Sequence, residues 1–117
     1  MKLFEIRDIL KAEVIVGADQ MDKTIIGACG ADLMGDVLAA VAKESILLSG
    51  FTTQEVIRTA KIADVAAVVF VRGKRPEKNT VELARSYNLP IMLTRYSLFV
   101  ACGRLYMNGL RGLDGSW

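Results

Sequence analysis

The sequence predicts a single α/β domain: a mainly parallel sheet of about four strands, helices on both faces, and a short N-terminal helix and edge strand alongside. Two observations predict it. From residue 24 onward, apolar runs of strand length alternate with amphipathic helical patterns, as in βα units joined by right-handed crossovers. The runs themselves, such as Val65-Ala66-Ala67-Val68-Val69-Phe70-Val71, are continuous rather than alternating. Strands covered by helices on both faces read this way. A length of 117 residues suits one domain, and an apolar fraction of 52% leaves enough material for one ordinary core.

The elements follow in order. Leu3, Ile6, Ile9 and Leu10 recur at helical spacing and predict a short helix over residues 3–11. Glu13 to Gly17 reads as a strand closed by glycine, and Thr24 to Cys29 as a second, broken at Gly30. Asp32 is the expected N-cap of a helix running to about Lys43, with Leu33, Val37, Leu38 and Val41 as its apolar stripe. Ser45–Ser49 is a short buried strand. Thr52-Thr53-Gln54-Glu55 fits a capping box at the start of a helix that turns Val56, Ile57, Ala60 and Ile62 to the sheet. The run over 65–71 is the next strand, and a helix from Glu77 to Tyr87 follows, with Asn79 and Glu82 placed to cap its regular part. Pro90–Leu93 forms a strand, and a last helix spans about Ser97 to Met107 until Asn108-Gly109 stops it. On that helix Tyr96, Phe99, Cys102 and Tyr106 are expected to share one apolar-aromatic face, either core or dimer seam. The domain is bounded at 2–110, with 111–117 as an irregular tail, open to docking on a partner subunit.

Composition excludes several classes. Histidine is absent, which removes Ser-His-Asp and Cys-His catalysis and most zinc sites. A net charge of +2 argues against a nucleic-acid partner. No apolar segment approaches the roughly eighteen residues needed to span a membrane. The early charges at Lys2 and Glu5 do not fit a signal peptide, so a cytoplasmic location is expected. Cys29 and Cys102 form no CxxC pair and read as reduced thiols. Neither GxxxxGK[ST] nor GxGxxG occurs, and no cofactor or metal is expected.

Loops at the carboxyl ends of parallel strands are where open α/β sheets bind ligands. Four such loops are expected to share one rim: Gly30-Ala31-Asp32, Ser49 to Thr53, Arg72 to Arg75, and Thr94 to Ser97. The candidate ligand-binding residues there are Asp32, Ser49, Thr52, Thr53, Arg72, Gly73, Lys74, Arg75, Thr94 and Arg95. Hydroxyls, cations and helix N-termini in one place suit a phosphate or carboxylate. The plainer alternative is that the hydroxyls cap helices and the cations are solvated. Asp32 and Asp36 stand one turn apart, which leaves open a Mg²⁺-dependent phosphotransfer or hydrolytic activity beside the non-enzymatic reading.

Three stretches together resemble the DRTGG-domain proteins: Asp32-Leu33-Met34-Gly35-Asp36-Val37-Leu38, Val56 to Ala60, and Val69-Phe70-Val71-Arg72-Gly73-Lys74-Arg75-Pro76. The ending Ala101 to Tyr106 followed by Gly109-Leu110 resembles them too, and the likeness covers about residues 2–110. The chain departs from the naming residues, with Asp22-Lys23 where Asp-Arg is expected and Val71-Arg72-Gly73 where Thr-Gly-Gly is expected. The resemblance implies an α/β fold like the N-terminal domain of HPr kinase/phosphorylase. Such domains also accompany CBS domains in regulatory pyrophosphatases. It further implies a dimeric regulatory or assembly module, which in stand-alone form accompanies hydrogenase and anti-sigma-type kinase partners. The expected activity is therefore binding of a small anionic ligand, a nucleotide or phosphorylated metabolite, by a homodimer. The alternative is a pure interaction module for a protein partner.

Overall fold

The computed structural model describes residues 1–40 and 43–113, with the backbone only at 38–40. The described residues form five strands and five α-helices, with a 3-10 turn at Ala18–Gln20 between the first two strands: α1 (Leu3–Leu10), β1 (Glu13–Val16), β2 (Gly27–Gly30), α2 (Met34–Ala40), β3 (Ser45–Ser49), α3 (Gln54–Ala63), β4 (Ala67–Phe70), α4 (Lys78–Ser86), β5 (Ile91–Leu93) and α5 (Leu98–Met107). The sheet order is β1-β5-β4-β3-β2. β2 to β5 are parallel, and β1 joins antiparallel to β5 with a register shift between Val14 and Val16. The expected mainly parallel sheet with an added edge strand is thus what forms.

The chain steps from each parallel strand to its neighbour in one direction, so α2, α3 and α4 fall on one face. There Val37, Val56, Ile57, Ala60 and Ala84 pack against Leu47, Val68, Phe70 and Ile91. The alternate strand positions, Ile46, Leu48, Ala67, Val69 and Met92, face the other way onto Leu3, Ile6 and Leu10 of α1 and Ala101 and Leu105 of α5. Burial on both faces is why the strand sequences show no period of two. At the exit of β1, Gly17 has φ +90°, and a Cβ there would lie 2.8 Å from Pro90.

Several local expectations fail. Leu33 is 68% exposed and Ile62 74%, and Met34 and Thr59 are the buried residues instead. Leu38 and Val41 of the expected stripe lie outside the described side chains. The capping box at Thr52 does not form: α3 starts one residue later with Thr53 as N-cap and no side-chain cap bond. Thr52 is buried, and its carbonyl accepts from Thr80 Oγ1 at 2.8 Å. Glu77, rather than Asn79 or Glu82, occupies the N-cap of α4. Lys23 Nζ donates to the Ala66 carbonyl at 3.0 Å. Its burial lowers the Lys23 pKa, Asp64 opposing this in part. Ser97 does cap α5, its hydroxyl accepting from the Val100 amide at 3.2 Å. After α5, Leu110 is buried, the Arg111 carbonyl accepts from the Ala28 amide of edge strand β2, and Leu113 packs on the bare Cα of Gly27.

Candidate functional site

The strand-end rim has two halves. On the β2–β3 side the loops are bonded to one another. The Asp32 carboxylate accepts from the Gly50 amide at 2.8 Å and the Ser49 hydroxyl at 3.3 Å. Ser49 Oγ in turn accepts from the Phe51 amide at 3.2 Å. Asp32 therefore ties two loops together instead of capping α2, which begins at Met34. The Arg72 guanidinium lies over Gly50: a Cβ on that glycine would be 2.8 Å from Arg72 Nη2 and 3.3 Å from Asp32 Oδ1. The carboxylate and the cation thus both border Gly50. Thr52 is buried, and Thr53 and Lys74 are exposed.

The other half is open. The loop after β4 turns toward α4 on one face, and the loop after β5 turns toward α5 on the opposite face. In open α/β sheets such a parting of adjacent loops is where ligands bind. A cleft of about 460 Å³ lies there, lined by Leu10, Lys11, Glu13, Gly73, Arg75, Leu93, Thr94, Arg95 and Tyr96. The size falls within the roughly 300–1,000 Å³ typical of small-molecule sites. Lys11, Arg75 and Arg95 supply three cations against the single carboxylate of Glu13. All four side chains are exposed.

Local bonding positions these groups. Arg75 grips Glu13 through two hydrogen bonds, 2.7 and 3.2 Å. That bond, with the attraction of the guanidinium, holds the Glu13 carboxyl below its usual range and raises Arg75. Lys11 is the left-handed C-cap of α1 (φ 49°), where a cation meets the partial negative charge of the helix end. The Leu10 carbonyl at that end accepts from Thr94 Oγ1 at 2.7 Å in a buried bond, and Thr94 Oγ1 itself accepts from the Tyr96 amide. The cleft floor is therefore a hydroxyl already committed on both sides.

The loop joining the two halves is under backbone strain. Arg72 and Gly73 both take positive φ, 62° and 66°. Glycine adopts this conformation freely, whereas a side chain costs about 1–2 kcal/mol. The turn persists because the Arg72 amide donates to the Tyr96 carbonyl at 2.7 Å and the Gly73 amide to the Thr94 carbonyl at 2.9 Å. Both amides are thus turned away from any ligand. A Cβ at Gly73 would meet only Arg95, at 3.9 Å or more, so conformation, not crowding, favours glycine there.

Of the ten residues singled out from sequence, Gly73, Arg75, Thr94 and Arg95 line the cleft, while Asp32, Ser49 and Arg72 gather in the bonded half. Lys11, Glu13 and Tyr96 line the cleft without having been singled out. Tyr96 lies on the rim loop already expected after β5, whereas Lys11 and Glu13 arrive because β1 pairs with β5, and no local sequence signal announces a pairing across nearly eighty residues. Among the described residues no group of three or more acidic, cysteine or histidine side chains could hold a metal ion. No described helix is long and apolar enough to cross a membrane.

Comparison with known proteins places this geometry in context. Residues 5–106 match the family described as the DRTGG domain. No curated protein matches the sequence. Among solved structures, the CBS and DRTGG domains of the regulatory region of Clostridium perfringens pyrophosphatase, complexed with the activator diadenosine tetraphosphate, are similar to this chain. The TM-score is 0.74 at 20% sequence identity, covering 89% of this chain and 45% of that one. The likeness is one of fold, and this chain spans under half of that chain's length.

Proposed function

Because the chain belongs to the DRTGG-domain family, we propose that it is a non-enzymatic regulatory module that dimerises and binds a small anionic ligand, a nucleotide or phosphorylated metabolite, in the open half of the rim. The observation that carries this reading is the cleft where the β4 and β5 loops part, with Lys11, Arg75 and Arg95 around it. Charge-assisted bonds from such groups are the usual means of holding phosphate. The Clostridium perfringens relative, a regulatory region complexed with a nucleotide activator, supports a sensing role over a catalytic one. So does Asp32, whose carboxylate is occupied by Gly50 and Ser49. A cytoplasmic setting fits such a role.

Calorimetric titration with nucleotides and phosphorylated metabolites tests the site. Wild type is expected to bind at least one of them, and a Lys11→Ala/Arg95→Ala variant to lose that binding. Absence of binding by wild type, or equal binding by the variant, overturns the assignment. A second reading, a pure interaction module for a protein partner, is favoured by the exposed apolar stripe of α5, where Phe99 and Met107 are 88% and 86% exposed.

A further inference from the structure

The covered face of α5 is not the one its aromatic residues mark. Ala101 and Leu105 are buried, and Leu98 and Cys102 pack partly against the core. Phe99, Val100, Tyr106 and Met107 are the exposed side chains, and a Cβ at Gly103 would meet nothing within 4 Å. These five positions lie four and three residues before Gly103, at it, and three and four after it. Helical geometry puts them on one stripe, about 12 Å long, within about 60° of the Gly103 direction.

The stripe is symmetric about Gly103. A two-fold axis beside that residue, between the two helices and perpendicular to α5, sets Phe99 of one copy level with Met107 of the other and Val100 level with Tyr106. Gly103 then faces Gly103, where the absence of a side chain allows the backbones to approach. We infer that α5 is the seam of a homodimer in which two copies of this helix pack antiparallel, crossing at Gly103. The occupant is a second copy rather than an unrelated partner, because the pattern is complementary to its own reversal.

Charge agrees. The helix carries no carboxylate, and its neighbouring cations stack on rings of the same chain. Arg104 stacks over the Tyr96 ring at 4.3 Å and Arg111 over the Tyr106 ring at 4.2 Å. Arg104 stays exposed about 100° away from the Gly103 direction, so the side chains of the stripe itself are neutral. Area agrees as well: large aromatic side chains bury about 150–250 Å² each. Two copies of the stripe with its rim remove on the order of 1,000 Å² from water, at the lower end of specific interfaces. That is about 500 Å² per copy, the size of the largest apolar patch on a typical monomer, which is often a functional surface.

This inference rests on the dimeric part of the proposed function and names its surface. Light scattering combined with disulfide trapping in the full chain tests it, with unsubstituted protein reporting background from Cys29 and Cys102. The expected results are a wild-type dimer and a monomeric Phe99→Glu variant that keeps its far-UV spectrum. A Gly103→Cys chain should crosslink to itself. Phe99→Cys and Met107→Cys should crosslink when mixed but not alone. A wild-type dimer that persists in Phe99→Glu, without Gly103→Cys crosslinking, overturns the seam and leaves dimerisation standing. Self-crosslinking at all three positions overturns the antiparallel arrangement. A wild-type monomer at high micromolar concentration overturns seam and dimer together. A monomer that dimerises only after deletion of residues 114–117 shows the chain's own end on the stripe, and overturns it too.

Discussion

The two halves of the strand-end rim start from the same ingredients and end in opposite states. Both consist of loops at the carboxyl ends of parallel strands, with hydroxyls and arginines. At β2–β3, one carboxylate accepts from an amide and a hydroxyl of the adjacent loop, and the Arg72 guanidinium lies over Gly50 of that loop. At β4–β5, the loops lead to opposite faces and leave a cleft whose cations outnumber its carboxylate. The difference teaches that composition alone does not make an anion site. What matters is whether neighbouring helices part or stay together, because only parting loops leave a cleft between them for the cations to line.

The sharpest break in this contrast comes from charge removal. Lys11→Ala/Arg95→Ala is expected to weaken binding of a phosphorylated ligand by about two orders of magnitude, since each charge-assisted bond contributes about 1.5–3 kcal/mol. Asp32→Ala should leave that affinity within about twofold while lowering stability by about 1–2 kcal/mol, the worth of its lost hydrogen bonds. Paired titration and urea unfolding check both, and the reverse outcome would exchange the roles of the halves. Next in size is Thr94→Val. It orphans the buried Leu10 carbonyl and is expected to cost about 1–3 kcal/mol in urea unfolding.

Arg72→Gly sharpens the contrast from the strained turn between the halves. Relief of the positive φ is expected to stabilise the protein by about 1 kcal/mol, with ligand affinity unchanged because Arg72 belongs to the bonded half. A loss of stability would show that its guanidinium contributes more than its backbone costs. The smallest effect is that of Glu13→Gln. With the pair to Arg75 gone, anion affinity should rise a few-fold at low salt and much less near physiological ionic strength. The sign for pH follows from the lowered Glu13 carboxyl. Whatever the pair contributes to stability is complete above the ordinary carboxylate range and is lost as pH falls through the depressed folded value. Unfolding of wild type should therefore be insensitive to this group near neutrality, and Glu13→Gln should flatten the acid limb.

The fold was legible where sequence and burial agree. Ile46-Leu47-Leu48 and the run ending at Phe70 read as strands because both faces are covered, so successive positions are apolar. Helix faces were less legible, since periodicity says which residues align but not which line is covered. On α5 the bulky Phe99 and Tyr106 point outward, while the smaller Ala101 joins Leu105 in the core. Asp32 shows the same limit at a cap: the local role at α2 loses to Gly50, eighteen positions away. The rim loops followed from strand order, but Lys11 and Glu13 did not, because their place depends on an antiparallel pairing that only the folded chain makes.

The short segment after α5 carries a consequence for how the molecule is made. The outer edge of β2 receives its backbone partner from Arg111, and Leu113 closes over Gly27. Until those residues have left the ribosome, the sheet has an open border of the kind that recruits strands from other chains. Folding of this domain is thus completed after synthesis of its last described turn, not during it. A chain cut after Gly109 should keep its helices and still be lost to aggregation.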